Sequence, residues 1–179
     1  MTNTCFPFIE WYNQEQFRGF FENELEGEKI MECYSCLSLQ GIQRISPGSI
    51  IYEGRFWVVD HAYPTSLKGW LVIVLKRHVE ALHDLTREEF QELAGIQYRL
   101  AQVMRFRASI EKEYMMCFVE AEFFHHIHVH FVAKPGDLPQ EAKGPRIFSY
   151  LNVDQRSAVP PDEIKALCEE LKEALIQQL

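Results

Sequence analysis

The chain has few of the features that would send it to a membrane or a nucleic acid. Its longest apolar run, "WLVIVL" at 70–75, is strand-sized and far short of a bilayer span. The start, "MTNTCFPFIEW", has no basic segment leading into an apolar run, so no signal peptide is expected. Basic residues are in the minority: 18 Lys and Arg against 26 Asp and Glu give a net charge of −8. That balance excludes general binding to a nucleic-acid polymer or an anionic membrane surface. It leaves room for an anionic small molecule in a locally positive pocket. Cysteines are few and odd in number, five in all, and only Cys33 and Cys36 are close together. A reducing, cytoplasmic setting with unpaired thiols is expected. There is no internal repeat and no low-complexity segment.

What is present suits one folded domain with additions at its ends. The length is 179 residues, 47% of them hydrophobic, enough to bury a core. Residues 13–27 read as a short helix, with a capping box from Asn13 and Gln16 and a stop at Gly27. "IIYEG" and "FWVVDHA" read as a hairpin turning at Gly54-Arg55, and "WLVIVLK" (70–76) as a buried strand. The segment 85–106 is the clearest helix. Thr86 and Glu89 cap it, and Phe90, Leu93, Ile96, Gln97, Leu100, Val103 and Met104 keep helical spacing. "YMMCFVEA" (114–121) and "HIHVHFVA" (126–133) read as paired strands, 135–145 as a loop, and 160–179 as a terminal helix. That helix has Pro161 in its first turn and a stripe of Ile164, Leu167, Leu171 and Leu175. The order predicts an α+β fold with a mainly antiparallel sheet and one long helix. The expected divisions are an N-terminal extension over 1–30, a domain over 31–150 and a C-terminal helical extension over 151–179.

The stretch "HHIHVHFV" (125–132) holds four of the seven histidines. On a strand, His126, His128 and His130 face one way, roughly 7 Å apart, and Ile127, Val129 and Phe131 face the core. Histidine is not a favoured strand residue, so three in register point to chemistry. Converging neutral imidazoles can hold a metal. They can also serve a phosphate, the middle one as nucleophile and its neighbours as donors. Crowded imidazoles resist charging together, which keeps the middle ring neutral. His125, His61 and His83 carry no role in this reading, the last two as surface residues. Cys117 and Cys168 are expected as packed thiols.

"HIHVHFV" resembles the histidine triad motif of alternating His and apolar residues at every position. The resemblance extends over about residues 31–134. "VVDHAYPTSLKGWLVIVLKRH" (58–78) is similar to the family's upstream block, with Asp60, Pro64, Gly69, Lys76 and His78 in matching places. The resemblance implies the histidine-triad fold and a nucleotide hydrolase or nucleotidyl transferase. Such an enzyme acts on nucleoside phosphoramidates or dinucleoside polyphosphates through a covalent nucleotidyl-histidine. It implies His128 as nucleophile, His130 as phosphate support, and Asp60 at the ribose hydroxyls. It implies a homodimer formed through the long helix and sheet. Some members bind structural zinc through a Cys-x-x-Cys, the His of Lys-x-His and the first triad His, here Cys33, Cys36, His78 and His126.

Three places depart from the family pattern. Trp70 stands where many members have a phosphate-facing His. "EAEFF" puts Glu122 where polar phosphate contacts are usual, and Ala133-Lys134 replaces Pro-Arg. Trp70, Glu122 and Lys134 are therefore expected to join Asp60 in shaping the substrate site. Acids beside the triad repel a polyphosphate and favour a less charged nucleotide conjugate. The same departures suit a second reading, a catalytically weak, zinc-stabilised nucleotide-binding module. A third, a catalytic metal on the triad, lacks a carboxylate ligand in register.

Overall fold

The computed structural model describes residues 33–105 and 110–177; the helix expected over 13–27 lies outside them. Five strands form one antiparallel sheet: β1 (Tyr52–Glu53), β2 (Trp57–His61), β3 (Trp70–Leu75), β4 (Ile110–Met116) and β5 (His128–Pro135), in the order β1-β2-β3-β5-β4. Helix α1 (Tyr34–Leu39) precedes the sheet, α2 (Arg87–Arg105) joins β3 to β4, and α3 (Pro161–Ile176) closes the chain. This is the α+β arrangement expected, with β3 central, β5 between β3 and β4, and β4 at the edge.

Alternation along the strands divides the sheet into two faces. Trp57, Val59, Leu71, Ile73, Leu75, Val129 and Phe131 point to one side. There Leu93, Ile96, Leu100 and Met104 of α2 and Ile164, Leu167, Leu171 and Leu175 of α3 complete one core. The terminal helix thus contributes its whole apolar stripe to the main core. Burial of some twenty such side chains, each adding about 1.5–3 kcal/mol, is what holds both helices to the sheet. The opposite face carries Trp70, Val132, His128 and His130. It is partly covered by Leu138, Ala142, Ile147 and Phe148 from the segment after β5.

The capping box at α2 is present in both directions: Thr86 N donates to Glu89 Oε2 (2.7 Å) and Glu89 N to Thr86 Oγ1 (3.2 Å). Glu89 also accepts from Arg77 Nε at 2.6 Å and Nη2 at 2.8 Å. That pair ties the end of β3 to the start of α2.

Several expectations need correction. β4 and β5 span 110–116 and 128–135, not 114–121 and 126–133. Pairing stops at Met116–His130, because the 117–127 connection bends with left-handed backbone at Val119 (φ 58°) and Phe123 (φ 64°). In that bend Phe123 O accepts from Tyr34 N (2.9 Å). His126 therefore precedes the strand, although Leu75 N still donates to Ile127 O (3.1 Å) and Ile127 packs into the core with Val129 and Phe131. The stretch 135–145 is not plain loop: turns of 3-10 helix occupy 140–142 and 144–150. His61 is buried, not at the surface. Its Nε2 accepts from Gly69 N (3.1 Å) and its Nδ1 meets Ala62 O (2.6 Å), which secures the β2–β3 connection. Burial lowers its pKa to about 4, so the ring stays neutral. Among the described residues, no helix is long and apolar enough to cross a membrane.

Candidate functional site

Two clusters meet at the start of β5. The first joins Cys33, Cys36, His78 and His126, whose ligand atoms all lie within 4.8 Å of one another. Cys33 caps α1 and Cys36 follows one turn later, so both thiols leave the same side of the helix. His78 comes three residues after β3 ends, and His126 two residues before β5 begins.

The spacing fits a tetrahedral metal. Zn²⁺ bound at about 2.3 Å by sulfur and about 2.0–2.1 Å by nitrogen sets its ligand atoms roughly 3.3–3.8 Å apart. Cys33 Sγ lies 3.5 Å from His126 Nδ1, and Cys36 Sγ lies 3.4 Å from the Nδ1 of both His78 and His126. The outer nitrogens are engaged as well. His126 Nε2 meets Leu75 O at 2.6 Å, and His78 Nε2 meets Glu80 Oε1 at 3.2 Å. Each acceptor places the ring proton on Nε2 and turns the Nδ1 lone pair into the cluster, as a metal ligand requires. Burial lowers the pKa of His126 to about 4. Burial, then the neighbouring Cys33, pushes the Cys36 thiol up to about 11; a bound dication would reverse that and draw the thiolate out.

The second cluster lies on the less covered face of the sheet. His128 sits opposite Val74 and His130 opposite Val72 in the β3–β5 register. Both rings are buried, and their centroids are 4.9 Å apart with planes nearly perpendicular. His128 Nδ1 lies 2.7 Å from His126 O. A carbonyl only accepts, so Nδ1 carries the proton and Nε2 keeps a free lone pair. Burial lowers the His128 pKa, and burial followed by the charge of His128 lowers that of His130 to about 3. Both rings are therefore neutral near pH 7. The surroundings are aromatic: Phe124 approaches His128, while Trp70 and Phe148 each pack edge-on against His130. Thr65 Oγ1 and Ser66 N both donate to Tyr150 O, which ties down the end of the 3-10 segment that carries Phe148.

The other expected site residues divide. Asp60 shares the histidine face, two strands from His130 through Val72. Its Oδ2 pairs with Arg44 Nη1 at 2.8 Å and its Oδ1 accepts from His61 N. Burial raises its pKa, against the opposing pull of Arg44. Glu122 is exposed in the 117–127 connection. Trp70 is fully buried and its indole N–H is given to His130 Nδ1 (3.0 Å), so its polar atom does not face a ligand. The Lys134 ammonium is buried and held by Glu111 and Pro135 O. Sequence reasoning missed Arg44, Phe148 and the enclosed His61. Arg44 and Phe148 come from connections with no motif, and only the fold brings them here.

Comparison with known families and structures agrees with this geometry. The profile of a family described as "Scavenger mRNA decapping enzyme C-term binding" matches residues 36–144. A Zn-bound histidine triad family protein from Mycobacterium smegmatis is similar in structure, with TM-score 0.57 and 19% identity over 83% of this chain and 96% of that one. A Hit-like protein involved in cell-cycle regulation from Bartonella henselae gives 0.58 and 14%, over 77% and 92%. A hypothetical histidine triad nucleotide-binding protein from Sulfolobus tokodaii gives 0.58 and 15%, over 81% and 93%. At these identities the structural likenesses establish the fold. No curated protein sequence matches the chain.

Proposed function

The chain belongs to the histidine-triad-like family of scavenger mRNA decapping enzyme C-terminal domains, and on that footing we propose that it is a nucleotide hydrolase or nucleotidyl transferase acting through His128. The observation that carries the reading is the 2.7 Å contact from His128 Nδ1 to His126 O. It fixes the tautomer that leaves Nε2 bare, and burial keeps the ring unprotonated. A neutral imidazole with an aimed lone pair is the form a nitrogen nucleophile needs.

In the proposed reaction, His128 Nε2 attacks the α-phosphorus in line. The P–N bond forms as the bond to the leaving group breaks, and the leaving group departs with its electron pair and takes up a proton. Water or another acceptor then attacks the same phosphorus, the P–N bond breaks, and a nucleoside monophosphate or its transfer product is released. His130 donates to a non-bridging oxygen throughout. Asp60 is assigned to the ribose hydroxyls, which requires it to share its carboxylate with Arg44.

The favoured substrate is a nucleoside phosphoramidate ahead of a dinucleoside polyphosphate. The two imidazoles are neutral, one offering a lone pair and the other a donor, and the two cations met near this face, Arg44 and Lys134, are already paired with Asp60 and Glu111. Zn²⁺ is the proposed occupant of the Cys33–Cys36–His78–His126 cluster. Four protein ligands leave no open position, so its role there is structural. A second copy of the chain is the proposed partner, in the cytoplasm, seated on α2 and the outer edge of β4, where Phe90, Tyr98 and Met115 are exposed.

The alternative of a weakly catalytic binding module draws support from one observation: Trp70 and Phe148 close over His130, which is only 7% exposed. The experiment that decides is release of nucleoside monophosphate from a panel of phosphoramidates and dinucleoside polyphosphates. Wild type is compared with His128→Asn, both checked for bound zinc and folding. Turnover by wild type and none by the variant is the expected result. Turnover by neither, with metal and fold intact, overturns the enzyme reading and leaves the binding module.

A further inference from the structure

We propose that Trp70 is a positioning residue that locks His130 in the tautomer with its proton on Nε2, so that His130 meets a phosphate only as a neutral donor. The assignment of His130 to a phosphate rests on the proposed function; the tautomer does not.

The argument starts from what an indole can do. Its Nε1–H donates and cannot accept. In the structure it donates to His130 Nδ1 at 3.0 Å between two buried side chains. Nδ1 must therefore present a lone pair, and the neutral ring keeps its proton on Nε2. A proton on Nδ1 would set two donors against each other in a site closed to water, the costly case of an unmatched buried polar pair. The same clash opposes the doubly protonated ring.

The contact is held from several sides. Trp70 pairs with Val132 across β3–β5, which makes His130 its diagonal neighbour on the same face. Phe148 packs edge-on against the indole (centroids 5.3 Å apart) and the imidazole (5.0 Å). Phe148 thus touches both partners of the hydrogen bond.

The consequence is a division of labour between two adjacent histidines. His128 has its proton on Nδ1 and a bare Nε2; His130 has a bare Nδ1 and its proton on Nε2. One ring offers a lone pair and the other a hydrogen. Neither offers a positive charge, which deepens the preference for a phosphoryl centre of low charge.

The test is long-range ¹H–¹⁵N spectroscopy of the full chain labelled at histidine, with His130 assigned by its loss in His130→Gln. Wild type is compared with Trp70→Phe and with Trp70→3-benzothienylalanine, which keeps the two-ring shape and lacks the N–H. Wild type is expected to show an unprotonated Nδ1 and a protonated Nε2 at His130. Both variants are expected to lose that fixed pattern, and kcat on the best phosphoramidate to fall about 10–100-fold, as for other outer-sphere partners of a reacting group, with KM little changed. A wild-type His130 protonated at Nδ1 overturns the proposal. So does retention of the wild-type tautomer and kcat in a folded benzothienyl variant. The spectrum needs no turnover, so an inactive wild type with the expected tautomer sinks the functional reading and supports the positioning.

Discussion

The Nδ1 atom of His126 and the Sγ atom of Cys36 lie 3.4 Å apart, although 90 positions separate the residues. That contact joins the first helix of the sheet domain to the strand bearing His128 and His130. If the cluster takes a metal, the metal holds two distant parts of the chain together. Zinc at 100 times its dissociation constant should then stabilise the fold by about 2.7 kcal/mol, a rise in Tm of roughly 5–10 °C for a chain of this size. Melting curves with and without chelator, read beside metal content, check this. A Cys36→Ser variant should lose the zinc response, and an unchanged response would exclude the cluster as the site.

Glu89 supplies a pH dependence with a definite sign. Its hydrogen bonds from Arg77, above all, bring its pKa from 4.5 to about 2. A carboxylate lowered on folding stabilises the protein above its ordinary pKa. The contribution is lost as pH falls through about 4.5 toward 2. Glu89→Gln should cost about 2 kcal/mol at neutral pH, the scale of hydrogen bonds to a charged group, and much less at pH 3. Urea midpoints at the two pH values measure the difference. An equal loss at both would show that the charge contributes nothing.

Gly69 has φ +91°, and a Cβ there would meet Met104 Cε at 3.2 Å. Its amide is also the donor to His61 Nε2. Gly69→Ala should therefore destabilise by about 1–2 kcal/mol, the cost of left-handed backbone for a residue with a Cβ. Thermal unfolding is the readout, and an unshifted midpoint would mean the turn relaxes freely.

The exposed apolar side chains of α2 and β4 give a prediction about assembly. Phe90 and Met115 are 44% and 48% exposed, and among the described residues no strand pairs with the outer edge of β4. Sedimentation velocity should find wild type as a dimer and Phe90→Asp/Met115→Lys as a folded monomer. A monomeric wild type at micromolar concentration, or a dimeric variant, would place the partner elsewhere.

Much of this was legible in the chain. Alternation in "HIHVHFV" gave the triad strand, the Thr86–Glu89 pair gave the start of the long helix, and the stripe from Ile164 to Leu175 gave the terminal one. These signals are local, and their spacing follows the period of the element that carries them. What was not legible depends on bends. The end of β4 is one such case: left-handed backbone at Val119 and Phe123 follows the last β4–β5 pair, Met116–His130, at a place where the alternation of the chain gives no sign of a stop. His61 looks like a loop residue because its partner, the Gly69 amide, is supplied by a tight connection. Arg44 and Phe148 meet the site through contacts that span 16 and more positions and leave no periodic trace.

His126 presents different atoms to its two neighbours: its ring faces the cysteines, and its carbonyl oxygen faces the His128 ring. A mutational screen scored by turnover would rank position 126 beside 128, since any replacement that shifts this peptide plane would spoil the alignment of the neighbouring imidazole. Such a screen would credit to chemistry what belongs to scaffolding. Only a second score, for abundance of folded chain, would separate the two.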